Sequence, residues 1–181
     1  MICDPIVVAE IAIPCDSPFF LMVLAVHIPF GLACTVTGLM AMLSKKRPGR
    51  HPTFGTLYYW GLAVVFITAG ILSAMRWAED YYLFILGALS FTAAWMGRTA
   101  HRQCWRGWVR LHILGMGLSY ILLLTAFYVD NGKSLPLWQD LPPITYWILP
   151  GAIGLPLIIW ALWRHPLVRP SNRPSQDVTR Q

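Results

Sequence analysis

The chain has 181 residues, of which 56% are hydrophobic and only 12% charged, with a mean hydropathy of +0.54. Soluble domains carry about 25% charged residues, so this composition excludes an ordinary water-soluble globule and points to an all-α integral membrane protein. The net charge of +6 is not a nucleic-acid footprint, because the cations fall in three short stretches beside apolar blocks, where they orient a chain in the bilayer and meet anionic lipid.

Residues 1–17 mix short apolar runs with Pro5 and Pro14. They read as an outer-surface segment packed on a bundle. No basic n-region is present, so the segment does not read as a cleaved signal. Cys3 and Cys15 fall here, and a disulfide and a pair of free thiols both remain open. Five apolar blocks follow at 18–43, 54–74, 81–97, 111–129 and 144–163. Each is within the ~17–26 residues that cross a hydrocarbon core as a helix. With no water to satisfy the backbone there, helices are the form expected. The blocks predict a four-helix core with a fifth helix kinked by Pro150 and Pro156, which bracket Gly151 and Gly154.

The connections carry their own signals. Pro48-Gly49 marks a turn after helix 1. The short link around Arg76–Asp80 makes helices 2 and 3 antiparallel neighbours. The stretch Arg98–Arg110 is a basic, Trp-containing link. Asn131-Gly132 predicts a left-handed stop to helix 4. The longest loop, 130–143, contains Pro136, Trp138, Pro142 and Pro143, and is placed over the outer mouth of the bundle. Residues 164–181 form a polar, Pro-rich cytoplasmic tail of disordered type.

Charge then sets the direction of the chain. With the N-terminus outside, twelve of the fourteen Lys and Arg residues lie inside, and only Arg76 and Lys133 lie outside. Seven of the eight acidic residues lie outside, and Asp177 alone inside. Because Lys and Arg gather on the cytoplasmic side, the expectation is a multi-pass inner-membrane protein with the N-terminus out and the C-terminus in the cytoplasm.

The span interiors hold no Asp, Glu, Lys or Arg, which argues against a proton-coupled transporter. Histidine is what remains. On helix 1, His27, Gly31, Cys34 and Gly38 share one face. On helix 2, His51, Gly55, Tyr58 and Leu62 do the same. Ser90, Ala94, Gly97 and His101 line helix 3, and His112, Gly115 and Ser119 line helix 4. A flat cofactor needs an imidazole to reach its metal and a small residue a turn away, so that the ring edge can approach the backbone. His51, His112 and His101 all belong to one membrane level and are the candidate ligands of a b-type haem. Arg98 and Arg102 are the candidate partners of its propionates. His27, Gly31, Gly115 and Ser119 are expected to line a pocket for a quinone-like or lipid ligand. The same small-residue spacing is also the ordinary packing code of membrane helices, so a chain without cofactor fits these lanes as well. No zinc spacing, P-loop, HExxH or nucleophile–base motif is present.

The elements His27-x-x-x-Gly31, His51-x-x-x-Gly55-x-x-x-Tyr59, Ala100-His101-Arg102 and His112-Ile113-Leu114-Gly115-Met116-Gly117-Leu118-Ser119-Tyr120, followed by Phe127-Tyr128-Val129-Asp130-Asn131-Gly132, form a pattern. It resembles a bacterial family of membrane proteins of unknown function over most of residues 20–165. The layout of inner-level histidines on four helices is also similar to the b-type transmembrane cytochromes. Those place two His pairs at two levels, and this chain lacks the outer pair. The resemblance therefore implies one haem b near the cytoplasmic face, exchanging electrons with a quinone or a redox partner. The alternative is a non-catalytic membrane subunit, or a small-molecule or lipid-binding module, within a homo-oligomer or a membrane complex.

Overall fold

A computed structural model describes residues 6–8, 11–13, 18–136, 138–165 and 168. Within 1–17 it adds a two-stranded antiparallel hairpin to the helical chain. The strands are β1 (Ile6–Val8) and β2 (Ile11–Ile13), with Ile6 opposite Ile13. Cys3 and Cys15 lie outside the described residues, as does most of the tail after Arg164.

Five helices follow: α1 (Pro18–Leu43), α2 (Arg50–Met75), α3 (Trp77–Arg102), α4 (Trp108–Asn131) and α5 (Ile144–Arg164). All five are long and apolar enough to cross a membrane. Only 17% of the apolar window of α1 and of α5 is buried inside the bundle, so most of their surface needs lipid to cover it. Their large exposed residues, such as Leu32, Leu43 and Trp163, are solvated by acyl chains and not by water.

Consecutive helices pack antiparallel, and named contacts fix the register. Cys34 of α1 meets Tyr58 of α2, and Ala41 meets His51. Tyr59 of α2 meets Phe91 of α3, and Phe66 meets Phe84. Gly97 of α3 meets Gly115 of α4. Gly117 of α4 takes the Ile158 side chain of α5, and Gly154 of α5 takes Ile121. Tyr120 of α4 donates to the Thr35 carbonyl (2.9 Å) and so closes the ring of α1–α4. α5 lies on the outside of that ring, against α4.

Several boundaries differ from the hydropathy reading. α2 begins at Arg50 and not at 54. α3 runs from Trp77 to Arg102 and not from 81 to 97. Lys and Arg are good helix formers, so the hydrogen-bonded ladder continues past the last apolar residue into the headgroup layer. The consequence is that His51, Arg98, His101 and Arg102 are helical residues, and not loop residues. The turn at Gly49 has φ +117°, which glycine adopts readily. α2 and α3 are joined by a single non-helical residue, Arg76, whose N–H donates to the Leu72 and Ser73 carbonyls.

Gly132 does not make the left-handed stop expected of it. Its φ is −56° and the chain runs on into a 3-10 turn, Gly132–Ser134. The reason for a glycine is space: an added Cβ would stand 2.8 Å from the Tyr146 ring. Tyr146 in turn donates its hydroxyl to the Trp138 carbonyl at 2.8 Å, which folds the long loop back onto the start of α5. α5 itself is continuous through Pro150 and Pro156.

Candidate functional site

The ends of the bundle differ in charge. One collects the C-termini of α1, α3 and α5 and the N-termini of α2 and α4, and with them nearly all the cations. At this basic end three imidazoles from three helices come together. The His51 and His112 rings have centroids 6.3 Å apart at 81° to each other. His101 lies 5.3 Å from His112 and 4.8 Å from Trp108. His51 and His112 are half-buried and His101 is exposed.

Two of the rings are fixed by the backbone of a neighbouring helix. His51 Nδ1 is 2.8 Å from the Ala41 carbonyl of α1. His112 Nδ1 is 3.1 Å from the Gly97 carbonyl of α3. A carbonyl only accepts, so each Nδ1 carries the proton and donates. In the neutral ring Nε2 then keeps its lone pair. Lys46 shares the same anchor, donating from Nζ to the Ala41 and Met42 carbonyls at the end of α1 (3.0 and 2.8 Å). Burial holds its ammonium below the ordinary lysine range. Lys46 and Trp108 have no signal in the spacing of apolar residues, since Lys46 lies in the link after α1 and Trp108 opens α4, each beyond its apolar block.

The other predicted residues are placed elsewhere. Arg98 turns toward α2, its Cζ 4.6 Å over the Tyr59 ring and its N–H 3.5 Å from the Thr56 hydroxyl. Arg102 is exposed at the end of α3. Among the described residues, no hydrogen bond joins either guanidinium to the imidazoles. His27 lies two-thirds of the way toward the opposite end. It meets Thr68 of α2 at 2.8 Å. The Thr68 hydroxyl donates to the Val64 carbonyl, and so accepts from His27. Gly31 looks onto open space, with no atom within 4 Å of an added Cβ.

Gly115 and Ser119 are packed, not open. A Cβ at Gly115 would stand 2.6 Å from the Ala93 carbonyl and 2.8 Å from the Gly97 backbone. Ser119 is 0% exposed. Its hydroxyl bonds that of Tyr58 at 2.5 Å, and its carbonyl accepts from Ser90 at 2.8 Å. These residues tie α2, α3 and α4 at mid-depth, a turn or two above the imidazoles. By contrast Gly55, one turn into α2 from His51, has nothing within 4 Å of an added Cβ, which leaves room for a flat group against the backbone.

Among the described residues, no set of three or more His, Cys, Asp or Glu side chains is arranged to hold a bare metal ion. An axial pair on a haem needs only two imidazoles. No protein-family model, curated protein or solved structure matches the chain.

Proposed function

We propose that the chain is a multi-pass protein of the cytoplasmic inner membrane. In this reading the basic end faces the cytoplasm and holds one b-type haem between His51 and His112, which exchanges electrons with a quinone or a redox partner. The observation that carries the reading is the convergence of His51 and His112 from α2 and α4, each with Nδ1–H on a main-chain carbonyl and Nε2 left with its lone pair. Metal-bound histidines are held this way, because the bond at the far nitrogen fixes both tautomer and ring direction.

Distance supports the pairing. With metal–imidazole bonds of about 2 Å and a further ~1 Å from nitrogen to ring centre, two imidazoles that would hold one metal from opposite sides have centroids about 6 Å apart. His51 and His112 stand at 6.3 Å. His101 is the substitute ligand at 5.3 Å from His112. Gly55 provides the open backbone that a macrocycle edge requires. Arg102 is the guanidinium assigned to a propionate, since Arg98 is turned into the α2–α3 seam, over Tyr59 and onto Thr56. A bound haem b supplies one-electron redox chemistry. The protein's part is to orient the two imidazoles and to keep the site next to the charged rim. The inward placement rests on nine described cations at this end against two at the other.

The test is a reduced-minus-oxidised visible spectrum of the detergent-purified protein beside His51→Ala and His112→Ala. A Soret and α-band pair is expected in the wild type and lost in both variants. A colourless, folded wild type overturns the haem. It would select a second reading that has its own support: a membrane subunit or lipid-binding module without cofactor, whose filled mid-depth, from Gly97 on Gly115 to Tyr58 on Ser119, serves helix packing.

A further inference from the structure

The Arg98 side chain stands apart from the imidazoles and has its own setting. It is half-buried in the seam between α2 and α3, with its guanidinium over Tyr59 and one N–H on Thr56. A guanidinium has five N–H donors, so most of its hydrogen-bonding capacity is unspent. The described acidic residues are Glu79, Asp80, Asp130 and Asp140. All belong to the opposite end of the bundle. Among the described residues Arg98 has no counter-ion, and an anion at that place, at the edge of a bilayer, is stabilised.

The depth and the surroundings say which anion. Arg98 is four residues before the end of α3, about 6 Å along the axis, so it lies at headgroup level. Toward the membrane centre, the same stripe of α3 carries Trp95 and then Phe91. Phe91 packs on Tyr59 at 5.8 Å and on Phe66 at 5.3 Å. Trp60 of α2 and Trp95 of α3 flank the seam and are 62% and 50% exposed. A surface of exposed indoles within the apolar part of two spanning helices is reached by lipid tails and not by a water-soluble partner.

We propose that the α2–α3 seam at the basic end is a binding site for an anionic phospholipid, with its phosphate on Arg98 and an acyl chain along Trp60 and Trp95. The site is independent of the haem reading, because none of its residues belongs to the imidazole cluster. Charge complementarity selects the headgroup, since the guanidinium matches a phosphate oxygen pair bidentately. The aromatic rim selects a lipid over free phosphate.

The purified protein in neutral detergent is titrated with phosphatidylglycerol, phosphatidylcholine or inorganic phosphate, reading bound lipid by native mass spectrometry and the melting temperature in parallel. The wild type is expected to bind phosphatidylglycerol about tenfold more tightly than phosphatidylcholine and to melt higher with it, with no shift from inorganic phosphate. Arg98→Gln removes that preference, and Arg98→Lys keeps part of it. Equal binding of the two lipids by the wild type, or an undiminished preference in Arg98→Gln, overturns the proposal. A shift of the same size with inorganic phosphate makes the site one for the free anion and also overturns it. If Arg98→Gln does not fold, the wild-type comparison and Arg98→Lys decide.

Discussion

At Gly115 one added methyl group would meet main chain, the Ala93 carbonyl and the Gly97 backbone, neither of which can rotate away. At Gly117 the neighbour is the tip of the Ile158 side chain, which can move. At Gly31 there is no neighbour at all. The three glycines therefore rank. Gly115→Ala is expected to destabilise by about 1–3 kcal/mol, as overpacking does, Gly117→Ala by less, and Gly31→Ala not at all. Thermal unfolding in one detergent checks the order, and a Gly115→Ala variant as stable as Gly31→Ala would sink it. The Tyr58–Ser119 pair gives a second comparison. Losing the bond costs roughly 0.5–1.5 kcal/mol. Tyr58→Phe leaves a serine that can turn its hydroxyl onto the carbonyl four residues back. Ser119→Ala leaves a phenol 2% exposed, with the Ser90 hydroxyl as its remaining partner. The two single variants therefore cost similar amounts, and the double variant costs less than their sum. The small-residue lanes on α3 and α4 were legible as lanes. Whether each small residue faced a neighbour or a void was not, because that depends on which helix stands opposite.

The first element, Pro18–Leu43, coincides with its apolar block, because Ser44 and the Lys45-Lys46-Arg47 run end both hydropathy and helix together. Elsewhere a hydropathy window stops at the first charge, while a helix stops where its hydrogen bonds do. The extension of α3 to Arg102 makes Arg98 and His101 helical residues, of which Arg98 reaches Thr56 of α2 and His101 reaches His112 of α4. The α1–α2 link has a sharper requirement. Gly49 sits at φ +117° and leads into the turn that brings His51 onto Ala41. A side chain there is strained by about 1–2 kcal/mol. Gly49→Ala should lower the unfolding free energy by that amount and loosen the His51 anchor. Gly55→Ala, in open space on the same helix, should not lower it. Equal stability of the Gly49→Ala and wild-type proteins in a denaturant titration would show that the link relaxes without the glycine. Gly132 makes the complementary point. Its sequence context resembles a helix stop, yet it is helical in φ and is a glycine because Tyr146 lies on it. Such a contact between the turn after α4 and the start of α5 is not written in the local sequence.

For the whole molecule, hydropathy gave the five helices long and apolar enough to span a membrane, while the convergence of His51, His101 and His112 came only from how the helices are arranged in space. Each of the three sits at a helix end of the same side, and any order of four helices would place them at one level. Only the packing that sets His112 of α4 between His51 of α2 and His101 of α3 brings both rings within 6.3 Å of it. The charge asymmetry makes the strongest demand on the environment. Reversing the chain would carry twelve cations outward and seven acids inward, against the bias that sets orientation in short loops. Cys104 reports on this directly, being exposed in the link between α3 and α4, while Cys34 is buried. With Cys3 and Cys15 replaced by serine, a membrane-impermeant maleimide should leave the protein unlabelled in intact cells and label it at Cys104 once the membrane is opened. Labelling of Cys104 from outside would put the basic end on the outer face. That result would overturn the proposed exchange with a cytoplasmic electron partner, whatever the spectrum shows. The same result would move Arg98 to the outer leaflet, where the lipid preference could still be measured. The two assays together thus separate what the bundle binds from which way it faces.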